Sequence, residues 1–138
     1  MTGAIDFTTR LDRVDWEALT ATLAEDRFDN GRTPDQLRRS FENSARSVLA
    51  LSGGAVVGTA RVLSDGVCNA YLVDVWTHSR FRRRGVARRM IEILQADLRG
   101  QHLSLFTDDA EPVFRRFGFE RQRGGMSKVV GRWLEGGA

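Results

Sequence analysis

The 138-residue sequence is poor in several features that mark specialised classes of protein. It contains one cysteine, Cys68, so neither an internal disulfide nor a cysteine-based zinc site can form. Its longest apolar runs are only a few residues long, far short of the stretch of about 20 that crosses a bilayer. The N-terminal region lacks the apolar core of a secretory signal. We therefore expect a soluble, cytoplasmic protein with no metal site.

Lysine is nearly absent, although the chain is slightly basic. There are 21 basic and 18 acidic residues, and Lys128 is the only lysine. This preference for arginine indicates biased codon usage more than a nucleic-acid-binding surface. The exception is a dense cluster of arginines, which would attract phosphate from either a polymer or a small cofactor; it comprises Arg80, Arg82, Arg83, Arg84, Arg88 and Arg89.

No repeat, linker or low-complexity tract interrupts the chain, so we expect a single domain over residues 1–138. Apolar periodicity predicts one helix that ends near Glu25 and a second that ends near Asn43. The second helix starts at Thr33-Pro34-Asp35-Gln36. This tetrapeptide combines an N-cap threonine, a proline at the first helical position and a glutamine at the third, which together predict a capping box.

The middle and end of the chain favour strands. We expect them at 4–8, 47–51, 55–63, 69–77, 102–106, 119–122 and 126–130, with one helix that starts near Gly85 and a short one over 112–117. The strand at 69–77 is apolar on nearly both faces, which is typical of a central strand. The strand at 102–106 is also expected to be buried. The predicted fold class is α/β (α+β), a mixed sheet with helices on its faces.

The strongest functional signal follows the central strand. There, Arg82-Arg83-Arg84-Gly85-Val86-Ala87 opens a helix, whose first N–H groups lack intrahelical partners and form a positive dipole end. A glycine and a small residue let a pyrophosphate approach the backbone, and arginines add charge-assisted hydrogen bonds. An ordinary connection with a solvated arginine face fits the same residues. The turn alone leaves both interpretations open, and it matches neither a Rossmann nor a P-loop pattern.

Three segments resemble the GNAT superfamily of N-acyltransferases. Arg82-x-x-Gly85-x-Ala87 is similar to the acyl-CoA pyrophosphate motif of the superfamily, and A-E-P-V-F-R-R-F-G-F at 110–119 resembles its helix-turn-strand segment. Residues 60–66 and 70–75 are similar to a narrower group, the plastid-type serotonin N-acetyltransferases and their small bacterial relatives. The resemblance implies one domain with six or seven mostly antiparallel strands, about four helices and splayed central strands.

The resemblance also implies acetyl-CoA as cosubstrate, held mostly by backbone groups. The Val75 N–H would polarise the thioester carbonyl and stabilise its oxyanion, while the Thr77 backbone would pair with pantetheine. Phe114 departs from the family pattern, because it stands where the family has a tyrosine that protonates the leaving thiolate. The implied cofactor-binding residues are Val75, Trp76, Thr77, Arg82, Arg83, Arg84, Gly85, Val86, Ala87, Arg88 and Phe114.

Three residues are candidates for proton transfer or for binding the amine. Tyr71 is the only tyrosine, and regular alternation would place it on the same face as Val75, as a substitute acid or substrate contact. Asp108 matches an aspartate of the narrower group and is the first candidate for binding a cationic amine. Asp74 lies in an apolar strand, where an unpaired carboxylate is costly. For Asp74, an ion pair with an arginine such as Arg61 is therefore favoured over catalysis.

Three other residues receive structural interpretations. Asp65 is expected in a turn near the mouth of the acceptor site, and Cys68 is expected to be a small buried hydrophobic residue. The Trp76 side chain is expected to pack in the core more than to recognise a ligand. These interpretations place the functional groups on β-strand backbone and loops.

The predicted function is transfer of an acetyl group from acetyl-CoA to a primary amine of a small molecule or peptide, by direct attack in a ternary complex. A non-catalytic acyl-CoA-binding or sensing module is the alternative, because Phe114 has no proton to donate. A small nucleic-acid-binding domain is a third interpretation, although we expect neither a nucleic acid nor a membrane as partner. The predicted assembly is a monomer or a homodimer.

Overall fold

The computed structural model describes residues 3–136 and divides the chain into two compact units, which meet in sequence between Leu105 and Phe106. The elements are β1 Asp6–Thr8, α1 Trp16–Glu25, α2 Pro34–Glu42, β2 Arg46–Ser52, β3 Ala55–Ser64, β4 Asn69–Thr77, a 3₁₀-helix Ser79–Phe81, α3 Val86–Gln95, β5 His102–Ser104 and α4 Glu111–Arg116. Only α4 belongs to the second unit. Within residues 3–136, no helix combines the length and apolarity needed to cross a membrane.

The strands form one mixed sheet in the order β1-β2-β3-β4-β5. Successive strands from β1 to β4 are antiparallel, whereas β5 is parallel to β4. The β4–β5 register joins only residues 69–71 to 102–104, so the last six residues of β4 have no partner in β5. The predicted α/β class is confirmed. So are the internal position of β4, which lies between β3 and β5, and the splay of β4 from β5.

Helices cover both faces of the sheet. α1 and α2 pack on the face that presents Leu49 and Trp76, and their own buried side chains complete this core. α3 covers the opposite face, where Gly58 lets it approach closely. A Cβ added at Gly58 would lie 3.1 Å from Val86 Cγ1 and 3.2 Å from Met90 Cε. Burial of each such apolar side chain stabilises the fold by about 1.5–3 kcal/mol.

The starts of α1 and α2 are closed by their own side chains. Asp15 accepts a hydrogen bond from the Ala18 N–H at 3.0 Å. Thr33 Oγ1 accepts from the Gln36 N–H at 3.1 Å, and the Gln36 side chain accepts from the Thr33 N–H at 2.9 Å. The predicted capping box of α2 is therefore confirmed, together with the ends of both helices.

β4 contains a β-bulge that regular alternation does not reveal. Thr59 pairs with Trp76 and Arg61 pairs with Val73, so three steps along β4 match two along β3. A bulge locally disrupts the ladder, bends the strand and re-aims its side chains. Asp74 and Val75 of β4 together lie opposite the single residue Ala60 of β3, so β4 has one extra residue here.

The bulge corrects one prediction about Tyr71. Cross-strand partners lie on the same face of a sheet, so Tyr71, opposite Leu63, lies on the face of Trp76, opposite Thr59. Val75 precedes Trp76 and points to the other face. The expectation that Tyr71 and Val75 share a face is wrong, because one extra residue between them shifts the alternation.

Predictions for the end of the chain were less accurate. The strand expected at 102–106 ends at Ser104, and its residues are half-buried or exposed instead of buried. The strands expected at 119–122 and 126–130 are absent from the described residues, which contain five strands instead of six or seven. In the second of these segments, Met126 and Val130 have exposed side chains. Apolar residues in a short segment supply side chains that a strand could bury, but not the partner strand that its backbone needs.

Candidate functional site

The start of α3 is open, unlike the starts of α1 and α2. Gly85 is its N-cap residue, with a φ of +76°, and no side chain makes a capping hydrogen bond to it. The first turn contains no acidic residue. A Cβ added at Gly85 would meet nothing within 4 Å, so the space beside this glycine is unfilled. Unpaired N–H groups at the positive end of a helix dipole form a ready site for an anion.

The turn before α3 has a second residue with unusual backbone geometry. Arg83 has a φ of +66°, which non-glycine residues rarely adopt. Turns that combine left- and right-handed residues gather successive N–H groups into a concave site for anions. The Arg84 guanidinium lies over the Phe81 ring, 5.2 Å from its centroid, which fixes one of the cationic side chains beside the turn.

Arg82 connects this turn to the end of β4 and to α1. Its Nε donates to the Thr77 carbonyl at 3.3 Å, and its Nη2 lies 3.7 Å from Asp26 Oδ2. The same Asp26 oxygen accepts a hydrogen bond from Trp76 Nε1 at 2.8 Å. Partial burial opposes the ionisation of Asp26, but the hydrogen bond from Trp76 and the nearby positive charges outweigh it, so its pKa is lowered. This carboxylate contacts an arginine side chain and leaves the start of α3 uncapped.

Asp74 is the buried carboxylate at the bulge of β4. Arg32 holds it with two hydrogen bonds, Nη1 to Oδ2 at 2.8 Å and Nη2 to Oδ1 at 3.1 Å. Arg61 Nε donates to Oδ2 at 2.6 Å, so the predicted pairing with Arg61 is confirmed. Burial raises the pKa of Asp74, but the two guanidinium groups lower it by more than burial raises it. The net effect is therefore a lowered pKa. A carboxylate held in this way is a poor base, which argues against the catalytic role considered for it.

Arg32 is the part of this cluster that the sequence did not predict. It lies in the loop between α1 and α2, 42 residues before Asp74, and follows the turn at Asn30-Gly31. The available signal was a carboxylate inside an apolar strand, which requires cationic partners. Among 20 arginines, nothing in the spacing singled out this one.

The other predicted site residues of the first unit differ in how far their side chains are exposed to solvent. Trp76 is buried in the core beneath α1 and α2, which confirms that its side chain packs there; any cofactor contact would use its backbone. Val86 is also buried, against Gly58. Tyr71 and Thr77 are half-buried along β4. The half-buried Ala87 and the exposed Arg88 lie in the first turn of α3.

Asp108 and Phe114 belong to the second unit. The Asp108 side chain is exposed in the loop before α4. Phe114 is half-buried within α4, and its ring makes edge-on contacts with Phe117 and Phe119, at centroid separations of 6.3 and 5.8 Å. Their functional roles remain predictions.

The turn between β3 and β4 explains Asp65 and corrects Cys68. Asp65 Oδ1 accepts hydrogen bonds from the N–H groups of Val67, Cys68 and Asn69, which lower its pKa, so the predicted turn role is confirmed. Cys68 is exposed, not buried. Its thiol contacts Asp65 Oδ2 at 3.3 Å, a position that follows from the turn and not from the apolar character of cysteine.

Most residues around the start of α3 are exposed to solvent. Two clefts of the first unit, of about 630 and 620 Å³, are lined by none of these residues. Within residues 3–136, no group of three or more His, Cys, Asp or Glu side chains has an arrangement that could hold a metal ion. The groups available to a ligand at the start of α3 are therefore backbone amides and arginine side chains.

Comparison with known proteins places these features in context. The model of the acetyltransferase (GNAT) family matches residues 9–119. Over 97 residues, the chain is 37% identical to serotonin N-acetyltransferase 2, a chloroplastic protein of rice (Oryza sativa subsp. japonica); the match covers 67% of this chain. It covers 48% of the rice protein, so the chain spans about half the length of this curated relative.

Solved structures share the fold at lower sequence identity. A GNAT-family acetyltransferase from Streptococcus pneumoniae superposes with a TM-score of 0.77 at 22% identity, covering 94% of this chain and 100% of that chain. A predicted acetyltransferase from Clostridium acetobutylicum, solved with acetyl-CoA, gives a TM-score of 0.69 at 18% identity and covers 92% and 96% of the two chains. At these identities the similarity establishes the fold alone.

Proposed function

Because the chain belongs to the acetyltransferase (GNAT) family, we propose that it transfers the acetyl group of acetyl-CoA to a primary amine by direct attack in a ternary complex. The observation that carries this proposal is the start of α3, which no side chain caps, with Gly85 in the left-handed region and open space beside that glycine. A diphosphate fits such a site because backbone amides at the positive end of the helix and flanking arginines would both bind it. We propose that the protein works as a soluble enzyme of the cytoplasm.

The proposed reaction uses mostly backbone groups. The amides at 83–88 would hold the diphosphate of acetyl-CoA, and the Thr77 backbone would pair with pantetheine. The Val75 N–H would then stabilise the oxyanion that forms when the amine nitrogen attacks the thioester carbonyl carbon. A C–N bond forms, the C–S bond breaks, the ammonium loses its proton and the thiolate gains one. Tyr71 and Asp108 are the side chains proposed for these proton transfers or for binding the amine.

Phe114 supports a second candidate function, a non-catalytic acyl-CoA-binding module. It occupies the position where the family resemblance places a tyrosine, and its ring has no proton for the departing thiolate. If the protein is an enzyme, solvent or another group must supply that proton. We expect Phe114→Tyr to leave CoA affinity unchanged and to raise kcat by about tenfold, which is below the usual range for general acid catalysis. A lower kcat at unchanged CoA affinity would contradict the proposed role of this position.

The acceptor is proposed to be a primary amine of a small molecule, and a peptide amine is the competing possibility. The rice relative is named for serotonin, so serotonin is the first amine to test, followed by other arylalkylamines, polyamines, amino sugars and a lysine peptide. The exposed carboxylate of Asp108 favours a cationic small amine over a neutral one. The panel therefore separates arylalkylamines from amines of other shapes and charges.

Two measurements distinguish the candidate functions. CoA should raise the melting temperature of an acetyl-CoA-dependent enzyme or of a binding module, because a ligand stabilises the state to which it binds. Release of free thiol from acetyl-CoA, measured across the amine panel, should occur only for the enzyme. Stabilisation by CoA without thiol release would favour the binding module. No effect of CoA, together with salt-sensitive binding to double-stranded DNA, would favour a nucleic-acid-binding domain.

A further inference from the structure

The bulge of β4 holds a strained residue. Asp74 has a φ of +56° in the middle of a strand, although it is not a glycine. Such a conformation costs about 1–3 kcal/mol and persists only where the surrounding contacts enforce it. The next residue is Val75, whose N–H is the proposed oxyanion donor. Whatever enforces the conformation of Asp74 therefore also sets the direction of that N–H.

The enforcing contacts come from Arg32 and Arg61. Arg32 binds both carboxylate oxygens of Asp74 in a fork, and its Nε is fixed by the Asp29 carbonyl at 3.1 Å. Arg61 binds one oxygen through Nε and lies over the Phe41 ring, 5.6 Å from its centroid. The three charged side chains are 5–12% exposed. They pin the side chain of the strained residue to α2 and to the loop before it.

A fourth contact fixes the backbone of the same residue. Thr59 Oγ1 donates a hydrogen bond to the Asp74 carbonyl at 2.8 Å, from the neighbouring strand. That carbonyl belongs to the peptide group that also contains the Val75 N–H. Because a peptide group is planar, a bond that orients the C=O also orients the N–H. The side chain and the following peptide of Asp74 are thus held independently.

We propose that Arg32, together with Arg61 and Thr59, is a positioning residue for the reaction, because it holds Asp74 in the bulge that directs the Val75 N–H toward the thioester. This inference rests on the proposed function, since it presupposes an oxyanion at Val75. It gives Asp74 a role that needs neither proton transfer nor contact with substrate. It also explains why a strand with an otherwise apolar interior contains a carboxylate.

The test uses two mild variants, because removal of Asp74 itself would strand two buried arginines and could unfold the protein. Arg32→Lys keeps the charge but loses the two-pronged contact, and Thr59→Val keeps the shape but loses the hydrogen bond. Arg38→Lys is the matched control: Arg38 also pairs with carboxylates, Asp35 and Glu42, but on the exposed side of α2. For each protein, the measurements are the melting temperature, the Val75 amide resonance without ligand, the Kd for CoA, and kcat and KM.

In the expected result, Arg32→Lys and Thr59→Val shift the Val75 amide resonance and lower kcat about tenfold, part of the loss seen when an oxyanion donor is removed. The Kd for CoA stays within about twofold, since the diphosphate site is unchanged, and Arg38→Lys alters none of these quantities. A lower melting temperature with an unchanged Val75 resonance and unchanged kcat would overturn the proposal, because it would show a purely structural cluster. Failure of wild-type protein to bind CoA would instead overturn the proposed function; the ligand-free resonance distinguishes the two failures.

Discussion

The starts of α2 and α3 solve the same physical problem in opposite ways. Each helix begins with N–H groups that have no partner within the helix. At α2, Thr33 and Gln36 satisfy two such donors, and Pro34 removes another. At α3, Gly85 has a left-handed backbone and supplies no capping side chain, and the space beside it is open. One start is closed by its own residues and the other is available to a ligand.

The difference shows how a local sequence choice separates a helix start that its own side chains cap from one that they do not. Capping residues stabilise a folded helix by about 1 kcal/mol each. A helix start without them gives up that stabilisation but retains its donors for a bound anion, in a partial positive field. The surrounding side chains follow the same division, since Asp35 lies in the first turn of α2 whereas no acidic residue lies in that of α3.

The largest expected effect comes from giving α3 an anion of its own. Gly85→Asp and Gly85→Asn add side chains of nearly equal size, and both residues tolerate the left-handed region better than most. The aspartate carboxylate would lie in the positive field at the helix start, where the diphosphate is proposed to bind, and would repel the diphosphate. We expect the Kd for CoA to be at least about tenfold higher for Gly85→Asp than for Gly85→Asn, a difference of about 1.4 kcal/mol. Calorimetric titration with CoA measures both values.

Salt provides the control for this pair of variants. The difference between aspartate and asparagine is one charge near the surface, so raising the ionic strength should reduce it. The smaller steric effect, common to both variants, should persist. Equal affinities of the two variants at low salt would contradict the placement of the diphosphate at Gly85. The pair thus tests the charge of the site separately from its shape.

Features fixed by neighbours in sequence were predictable. The capping box of α2 and the limits of β4 both depend on residues within a few positions of one another. The open turn before α3 is equally local, which is why the sequence located it at Gly85. At both helix starts, one short segment contains the backbone N–H groups and also the residue that caps them or provides no cap.

Features that depend on distant partners were not predictable. The bulge at Asp74 is a mismatch between two strands, so neither strand reveals it alone, and the fork from Arg32 crosses 42 residues of sequence. The apolar residues within 126–130 predicted a strand, yet the described residues provide no ladder for it. Pairing and register are decided by the whole fold, whereas periodicity reports only which side chains share a face.

The smallest expected effect comes from opening α2, the reverse of the first change. Thr33→Ala removes the N-cap oxygen and should lower the free energy of unfolding by about 1 kcal/mol, measured by urea denaturation. Thr22→Ala is the matched control, because Thr22 lies inside α1 and its hydroxyl donates to the Ala18 carbonyl of its own helix; its effect should stay within about 0.5 kcal/mol. The Kd for CoA should be the same in both variants and in wild type. A weaker affinity in Thr33→Ala alone would mean that the two helix starts are coupled, and that closing one of them contributes to what the other binds.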